Sequence, residues 1–200
     1  MRKSSDGWHG SKSLFEEQDM NIEFEKASIS HIDTIFNWLS EPHMMEFWDN
    51  SEEHKNDILN FIHNKPQTYF AGTTKYWIGF IDTQPYAFVL SDILKKDQTD
   101  LSETHLVNMS ETGHTIALDF AIGNKEYLGR GLAGPTLSAF MLFYKRAIDP
   151  KTDTFFIDPD ENNPRAIRVY NKAGFIKVGE YQATQGAFIG HNSDLMVKKL

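Results

Sequence analysis

A short glycine-rich segment joins a strand-like run to a helix-like run, and this junction restricts the folds open to the chain more than any other feature. In HTIALDFAI, residues 114–122, large apolar residues alternate with small or polar ones, as in a β-strand. After LGRGLAGP, residues 128–135, apolar residues recur at helical spacings, which is typical of a helix packed on a sheet. Because glycine adopts positive φ angles easily, Gly129 and Gly131 can turn the backbone sharply between the two runs.

The same junction is a candidate anion site. Its consecutive amides would lie at the N-terminus of the helix with no acceptor of their own, namely those of Gly129, Arg130, Gly131, Leu132 and Ala133. Free N–H groups and the positive end of a helix dipole favour a phosphate or pyrophosphate. Glycine turns also serve as plain connections, so the junction alone leaves both interpretations open.

The remaining patterns predict one mixed α/β sheet. From about residue 21 the order is strand, two helices, three strands, helix, strand, helix and two strands, with a polar loop at residues 95–113. This order indicates a sheet flanked by helices, and the unit across the glycine junction is expected to be a right-handed parallel crossover. We predict a single domain over residues 21–200, preceded by a flexible extension over residues 1–20, which shows neither strand nor helix periodicity.

Charge and composition limit the partners and the chemistry. The chain has 200 residues, a formal net charge of −8 and no cysteine. The negative charge disfavours nucleic acid and anionic membranes, and the lack of cysteine excludes a thiolate nucleophile and zinc–thiolate sites. The histidines show no spacing typical of metal ligands. Without a signal peptide or a membrane-length apolar run, the sequence predicts a cytoplasmic monomer or homodimer that binds a small molecule and no metal.

A second motif follows downstream in NPRAIRVYNKAGF, residues 163–175. Asn163 is placed to cap a helix, Pro164 suits its first position, and Gly174 suits its end. These features alone predict only a well-formed helix. Tyr170 adds a phenol near the end of that helix, and a phenol can donate a hydrogen bond or a proton.

Together the two motifs resemble the acyl-CoA signature of the Gcn5-related N-acetyltransferase (GNAT) superfamily. The first appears as LGRGLA, with Leu128 where the family usually has Arg or Gln, and the second matches at Asn163, Ala166, Tyr170, Gly174 and Phe175. The resemblance implies acetyl-CoA as cofactor and a GNAT-like fold, a mixed six- to seven-stranded sheet flanked by about four helices. It also implies the cofactor-binding residues, which are Phe120, Ala121, Ile122, Leu128, Gly129, Arg130, Gly131, Leu132, Ala133, Asn163, Ala166 and Tyr170.

Within the superfamily the chain looks like the bacterial aminoglycoside 6'-N-acetyltransferases, through LDFAIG, DPDENNPRAIRVYNKAGF and HMMEFW. A group of siderophore-precursor acyltransferases shares LGRG but has a His where this chain has Asp119. The leading prediction is therefore an aminoglycoside 6'-N-acetyltransferase, an antibiotic-resistance activity. Two alternatives stay open: an acyltransferase of a hydroxylysine- or lysine-type siderophore precursor, and a non-catalytic acyl-CoA-binding module, with which Leu128 is compatible.

The resemblance also implies two catalytic residues. Asp119 aligns with the carboxylate that positions the acceptor amine, and Tyr170 aligns with the donor to the leaving sulfur. With an ordinary carboxyl pKa of ~3.9, Asp119 is expected to orient the amine and relay its proton through water rather than accept it directly. Because no cysteine can carry the acyl group, we expect direct transfer in a ternary complex.

Three residues are predicted to bind the acceptor. Asp119 lies on the small-residue face of its strand and Asp158 closes the next strand, so both are expected at the carboxyl-end crevice of the sheet. Asp119 could instead pair with a basic residue, and Asp158 could cap the turn before Pro159. Trp48 is expected to form an apolar wall with Met44, Met45 and Phe47, although core packing explains such a cluster equally well.

Overall fold

The computed structural model describes residues 21–70, 72–184 and 187–200, so the predicted extension over residues 1–20 lies outside the described residues. Seven strands are found: β1 (Ile22–Lys26), β2 (Lys75–Ile81), β3 (Gln84–Leu94), β4 (His114–Ile122), β5 (Thr152–Ile157), β6 (Ile176–Gln182) and β7 (Asn192–Lys199). They form one sheet in the order β1-β2-β3-β4-β5-β7-β6. The prediction of a mixed α/β sheet is confirmed.

The helices that flank the sheet are α1 (Ile32–Leu39), α2 (Pro42–Met45), α3 (Glu52–Ile62), α4 (Glu103–Asn108), α5 (Ala133–Phe143) and α6 (Pro164–Lys172). A π-helical turn at Tyr144–Ile148 extends α5. The four longer helices were expected from the sequence. The short helices α2 and α4 were not, and the prediction of a loop over residues 95–113 is wrong at α4.

Helix α4 escaped prediction because it has no apolar stripe. Its buried residue is His105, while Leu106 and Val107 are exposed to solvent. A polar contact starts the helix instead, since the Ser102 hydroxyl accepts a hydrogen bond from the His105 amide at 3.3 Å. A helix of this kind has no hydrophobic periodicity for sequence analysis to detect.

The only parallel pair among the described strands is β4 with β5, and helix α5 connects them. The predicted parallel strand–helix–strand unit is therefore confirmed. Strands β2 and β3 form an antiparallel hairpin, which turns at Asp82 and Thr83 with φ angles of 49° and 65°.

The core occupies both faces of the sheet, and the alternation of β4 explains the division. Leu118 and Phe120 contribute to the core on the face that α5 and α6 cover. The opposite face packs on α1 and α3 through residues such as Ile35, Ile58 and Phe88. Because side chains alternate along a strand, Asp119 points away from Leu118 and Phe120, toward the second face.

Candidate active site

The parallel ladder between β4 and β5 stops in the middle of the sheet. Its last pair is Leu118 with Ile157, where β5 ends. Strand β4 continues to Ile122, where it still pairs with Ala87 of β3. Residues 119–122 therefore have no ladder partner in β5, and the two strands border an opening. This opening is part of a cleft of about 1260 Å³.

The glycine junction forms one wall of this cleft. Gly129 and Gly131 both have a φ of +74°, the left-handed region that favours glycine, and an added Cβ at either position would meet nothing within 4 Å. None of the amides of residues 129–133 donates to an acceptor among the described residues. The Arg130 side chain lies on the surface, with its guanidinium carbon 5.1 Å from the ring centroid of Tyr127. The junction thus presents free N–H groups to open space.

Helix α6 forms the adjoining wall. The Asn163 side chain accepts a hydrogen bond from the Ala166 amide at 3.0 Å, which is the predicted N-cap. Tyr170 is buried but lines the cleft, and its hydroxyl bonds to no described residue. Burial, and then the charges of Asp119 and Asp158, raise the pKa of Tyr170, so its phenol stays protonated and available as a donor.

Asp119 and Asp158 lie on neighbouring strands, each one residue past the last ladder pair. Both line the cleft. Asp119 is exposed to the cleft interior yet lies deep among protein atoms, and this desolvation raises its pKa; the negative charges of Asp158 and Asp92 raise it further. The ordinary carboxyl pKa assumed from the sequence is therefore wrong for Asp119.

Asp158 does not cap the turn before Pro159 through its side chain. Its carboxylate instead accepts a hydrogen bond from the hydroxyl of Tyr181, on edge strand β6. Burial raises the pKa of Asp158, and this hydrogen bond offsets part of the rise. Tyr181 was missed in the sequence, because nothing local connects it to a residue so far along the chain.

The aromatic wall lies partly as predicted. Trp48 lines the cleft with Met44 and Phe47, and its ring centroid is 5.4 Å from that of Phe88, whereas Met45 is exposed and lies outside the lining. Sequence reasoning missed the residues that extend this wall, which are Asp49, His54, Tyr69 and Phe70.

Asp49 is an ionised group at this end of the cleft. It accepts hydrogen bonds from the Ser51 amide at 2.8 Å, from the Ser51 hydroxyl at 2.6 Å and from the Tyr69 hydroxyl. Although burial opposes the charged form, these bonds lower the pKa of Asp49. His54 lies against the same group, with its Nδ1 2.8 Å from the Asp49 carbonyl oxygen.

Charge is unevenly distributed along the cleft. The basic lining residues Arg165 and Lys172 belong to helix α6. The acidic lining residues gather around the sheet and the aromatic wall, and they include Asp49, Asp92, Asp100, Asp119 and Asp158. Within residues 95–113, Asp100 lines the cleft, whereas Asp97, Glu103 and Glu111 are not part of the lining. One end of the cleft therefore suits anions and the other suits cations.

All but one of the predicted site residues line this cleft. The lining includes Trp48, Phe120, Ala121, Ile122, Leu128, Gly129, Gly131, Leu132, Ala133, Asn163, Ala166, Tyr170 and the two aspartates, Asp119 and Asp158. Arg130 is the exception, because its side chain turns outward.

In the described part of the chain, the helices are too short or too polar to cross a bilayer.

Comparison with known proteins identifies the family. The family profile described as Acetyltransferase (GNAT) domain matches residues 28–183. An aminoglycoside N(6')-acetyltransferase type 1 of Klebsiella pneumoniae is 24% identical over 154 residues, which are 76% of this chain and 72% of that protein.

Two solved structures share the fold. The aminoglycoside N(6')-acetyltransferase of Legionella pneumophila has a TM-score of 0.71 at 20% identity, over 92% of this chain and 94% of its own. Aminoglycoside acetyltransferase AAC(6')-Ib, in complex with coenzyme A and kanamycin, has a TM-score of 0.69 at 20% identity, over 90% and 95%. Since the family profile covers most of the chain and the fold agrees with it, the chain belongs to the GNAT acetyltransferases, as the sequence motifs predicted.

Proposed function

We propose that the protein transfers the acetyl group of acetyl-CoA to a primary amine of a cationic small molecule, with the 6'-amine of an aminoglycoside as the leading acceptor. One observation carries this proposal: two carboxylates, Asp119 and Asp158, lie side by side where β4 and β5 separate, in the cleft that Tyr170 also lines. The aminoglycoside acetyltransferases among the relatives support the choice of acceptor.

The cleft fits acetyl-CoA. The free amides of residues 129–133 suit its pyrophosphate, with Arg165 and Lys172 of α6 nearby as positive charges. The unpaired edge of β4 over residues 119–122 offers main-chain groups to an extended, amide-containing arm. Leu128, which stands where the family usually has Arg or Gln, also lines this wall. When bound, acetyl-CoA supplies an activated acetyl thioester.

Asp119 is proposed to accept the proton of the acceptor amine. An alkylammonium with a pKa near ~10.4 must lose a proton before its nitrogen can attack a carbonyl carbon. The raised pKa of Asp119 makes its carboxylate a stronger base than an ordinary aspartate, closer to the value that suits a general base at neutral pH. Direct proton uptake by Asp119 is thus proposed in place of the relay through water expected from the sequence.

Tyr170 is proposed to assist the leaving sulfur. As the N–C bond forms and the C–S bond breaks, the sulfur gains negative charge and needs a hydrogen-bond donor or a proton. The Tyr170 hydroxyl is protonated, buried and without a partner among the described residues, so it can supply either. Since the chain has no cysteine, the remaining acceleration comes from holding amine and thioester together in one ternary complex.

The remaining acidic residues are proposed to select the acceptor. Asp49, Asp92 and Asp100 add negative charge around Asp119 and Asp158, so a polyamine-like molecule gains attraction at several of its ammonium groups. The aromatic wall at Trp48 and Tyr69 can contact the sugar or alkyl body. We expect this reaction in the cytoplasm, and we expect resistance to the antibiotic when the acceptor is an aminoglycoside.

The test is a panel of amines with acetyl-CoA, read by the mass of the products. The panel contains kanamycin, spermidine and hydroxylysine, and Asp119→Asn is the control enzyme. Acetylated kanamycin that disappears with Asp119→Asn supports the proposal. Product from hydroxylysine alone would favour the siderophore-type reaction. Coenzyme binding without any product would favour the non-catalytic module.

A consequence in cells provides a second readout. Expression in a susceptible bacterium should raise the minimum inhibitory concentration of kanamycin several-fold, and Asp119→Asn should not. If the minimum inhibitory concentration did not change despite full expression, the resistance role would be contradicted. The acetyltransferase activity would still be decided by the product assay.

A further inference from the structure

We propose that Tyr181 is a positioning residue that makes the two cleft carboxylates unequal, holding Asp158 in the ionised form and leaving Asp119 as the member that takes up the proton. The inference rests on the proposed function for its role in catalysis. For the protein without bound ligands, the inference predicts which of the two adjacent acids loses its proton first.

Tyr181 reaches the site from the far edge of the sheet. In the strand order, β7 separates β6 from β5, and the Tyr181 hydroxyl crosses this strand to donate to an Asp158 carboxylate oxygen. The Tyr181 ring is held by an edge-on contact with His105, at 4.7 Å between ring centroids. His105 is fixed in turn by the Ser102 hydroxyl, 2.7 Å from its Nδ1. The donor therefore has a supported position.

The two carboxylates compete because they are close and share a low-dielectric cleft. Each follows directly after the last ladder pair of β4 and β5, so they occupy equivalent positions on adjacent strands. Two such acids resist simultaneous ionisation, and the pair loses its protons in two steps. A donor on one member stabilises the charge of that member.

The hydrogen bonding of the pair is asymmetric. The Asp158 carboxylate accepts a hydrogen bond from the Tyr181 hydroxyl, whereas the Asp119 carboxylate accepts none from the described residues. The first proton is therefore lost from Asp158. Its negative charge then opposes ionisation of Asp119, which agrees with the contribution of Asp158 to the raised pKa of Asp119.

Other charged and titratable groups surround the pair without reversing this order. They include Asp92 on β3, Tyr76 on β2 and Tyr170 on α6. Asp100 precedes α4, and His105 lies within that helix. The charge of Asp92 opposes ionisation of Asp119. Because Tyr181→Phe changes none of these groups, it isolates the effect of one hydroxyl.

The direct test is a titration of the free enzyme by aspartate carboxyl-carbon NMR, with Asp119→Asn and Asp158→Asn used for assignment. In Tyr181→Phe, the first proton loss of the pair should move to higher pH by about 1 unit, the scale expected for a hydrogen bond to a charged group. Replacing Tyr181 with 3-fluorotyrosine, a stronger donor, should move it to lower pH. Unchanged titrations in both proteins would overturn the proposal.

Two controls separate this effect from loss of a buried hydroxyl in general. Tyr86→Phe removes a hydroxyl that lies 2.7 Å from the Thr136 hydroxyl, remote from the carboxylates, and should leave the titration unchanged. Adding Tyr181→Phe to Asp158→Asn should not shift Asp119 further, because the acceptor of the hydrogen bond is already neutral. A further shift would show that Tyr181 acts through something other than Asp158.

Kinetics complete the test. In Tyr181→Phe the acid limb of kcat/KM, which follows the second proton loss from Asp119, should move less than the first proton loss of the pair, and the Kd for coenzyme A should stay within twofold of wild type. A shifted titration in an enzyme that acetylates no amine would refute the proposed function and retain the carboxylate asymmetry. Turnover in an enzyme whose first proton loss is unmoved by Tyr181→Phe would refute the asymmetry and retain the function.

Discussion

Asp119 of β4 is the neighbour of Asp158, the residue that follows β5, and the ladder that joins these parallel strands ends immediately before them, at Leu118 and Ile157. The same separation of β4 and β5 that opens the cleft therefore brings two acids together inside it. Their mutual repulsion and their burial disfavour the charged forms. This arrangement costs stability, and that cost is measurable.

Asp119→Asn should stabilise the folded protein at neutral and higher pH. A carboxyl whose pKa is raised on folding contributes stability below its unfolded pKa of ~3.9, and this contribution is lost as the pH rises through the folded value. Asn removes the titration, so the melting temperature of the variant should exceed that of wild type near pH 8, and the difference should vanish near pH 4. A constant difference across this range would contradict the raised pKa of Asp119.

Tyr170→Phe should lower kcat by about 10²-fold while the Kd for coenzyme A changes little. The variant keeps the ring that packs near Phe175 and removes only the hydroxyl that lacks a described partner. Steady-state kinetics and calorimetric binding of coenzyme A give the two quantities. Equal losses in binding and turnover would assign the hydroxyl to coenzyme binding instead.

Gly131→Ala should destabilise the protein by about 1–2 kcal/mol, because the residue has a left-handed φ of +74° and an added Cβ has free space around it. Gly134 is the matched control. It lies within α5, has no positive φ, and an added Cβ would also meet nothing within 4 Å. Gly134→Ala should therefore be neutral or stabilising by up to about 1 kcal/mol. Urea unfolding gives the free energy of unfolding of both variants. Because an added Cβ has free space at either position, a difference between them reports the backbone conformation, and equal effects would reject this explanation.

Asp57→Ala should lower the free energy of unfolding by about 3 kcal/mol, since it would leave the buried Tyr76 hydroxyl and three half-buried donors without their acceptor. The Asp57 carboxylate accepts from the Tyr76 hydroxyl at 2.9 Å, the Gln67 amide group at 2.8 Å, and the backbone amides of Thr68 and Tyr69 at 3.0 Å each. Glu53→Ala, at an exposed position of the same helix, should change stability by less than about 0.5 kcal/mol. Similar unfolding curves for the two variants would show that Asp57 does not anchor this segment.

Local sequence signals predicted the parts of the site that depend on a few consecutive residues. The positive φ angles of Gly129 and Gly131 and the Asn163 cap are set within one turn of chain, so spacing alone located them. The alternation of β4 likewise placed Asp119 opposite the bulky core face. The short helix α4 failed this approach because a hydroxyl cap, and no apolar stripe, defines it.

The sequence by itself thus determined the strands and longer helices, the left-handed glycines of the junction and the face on which Asp119 lies, because each follows from contacts between residues close along the chain. Only the tertiary structure decided where β4 and β5 separate, that Tyr181 bonds to Asp158, and that the pKa of Asp119 is raised. These properties depend on strand order and on the burial of charges, and both are set by contacts between residues far apart in the sequence. No local pattern carries that information.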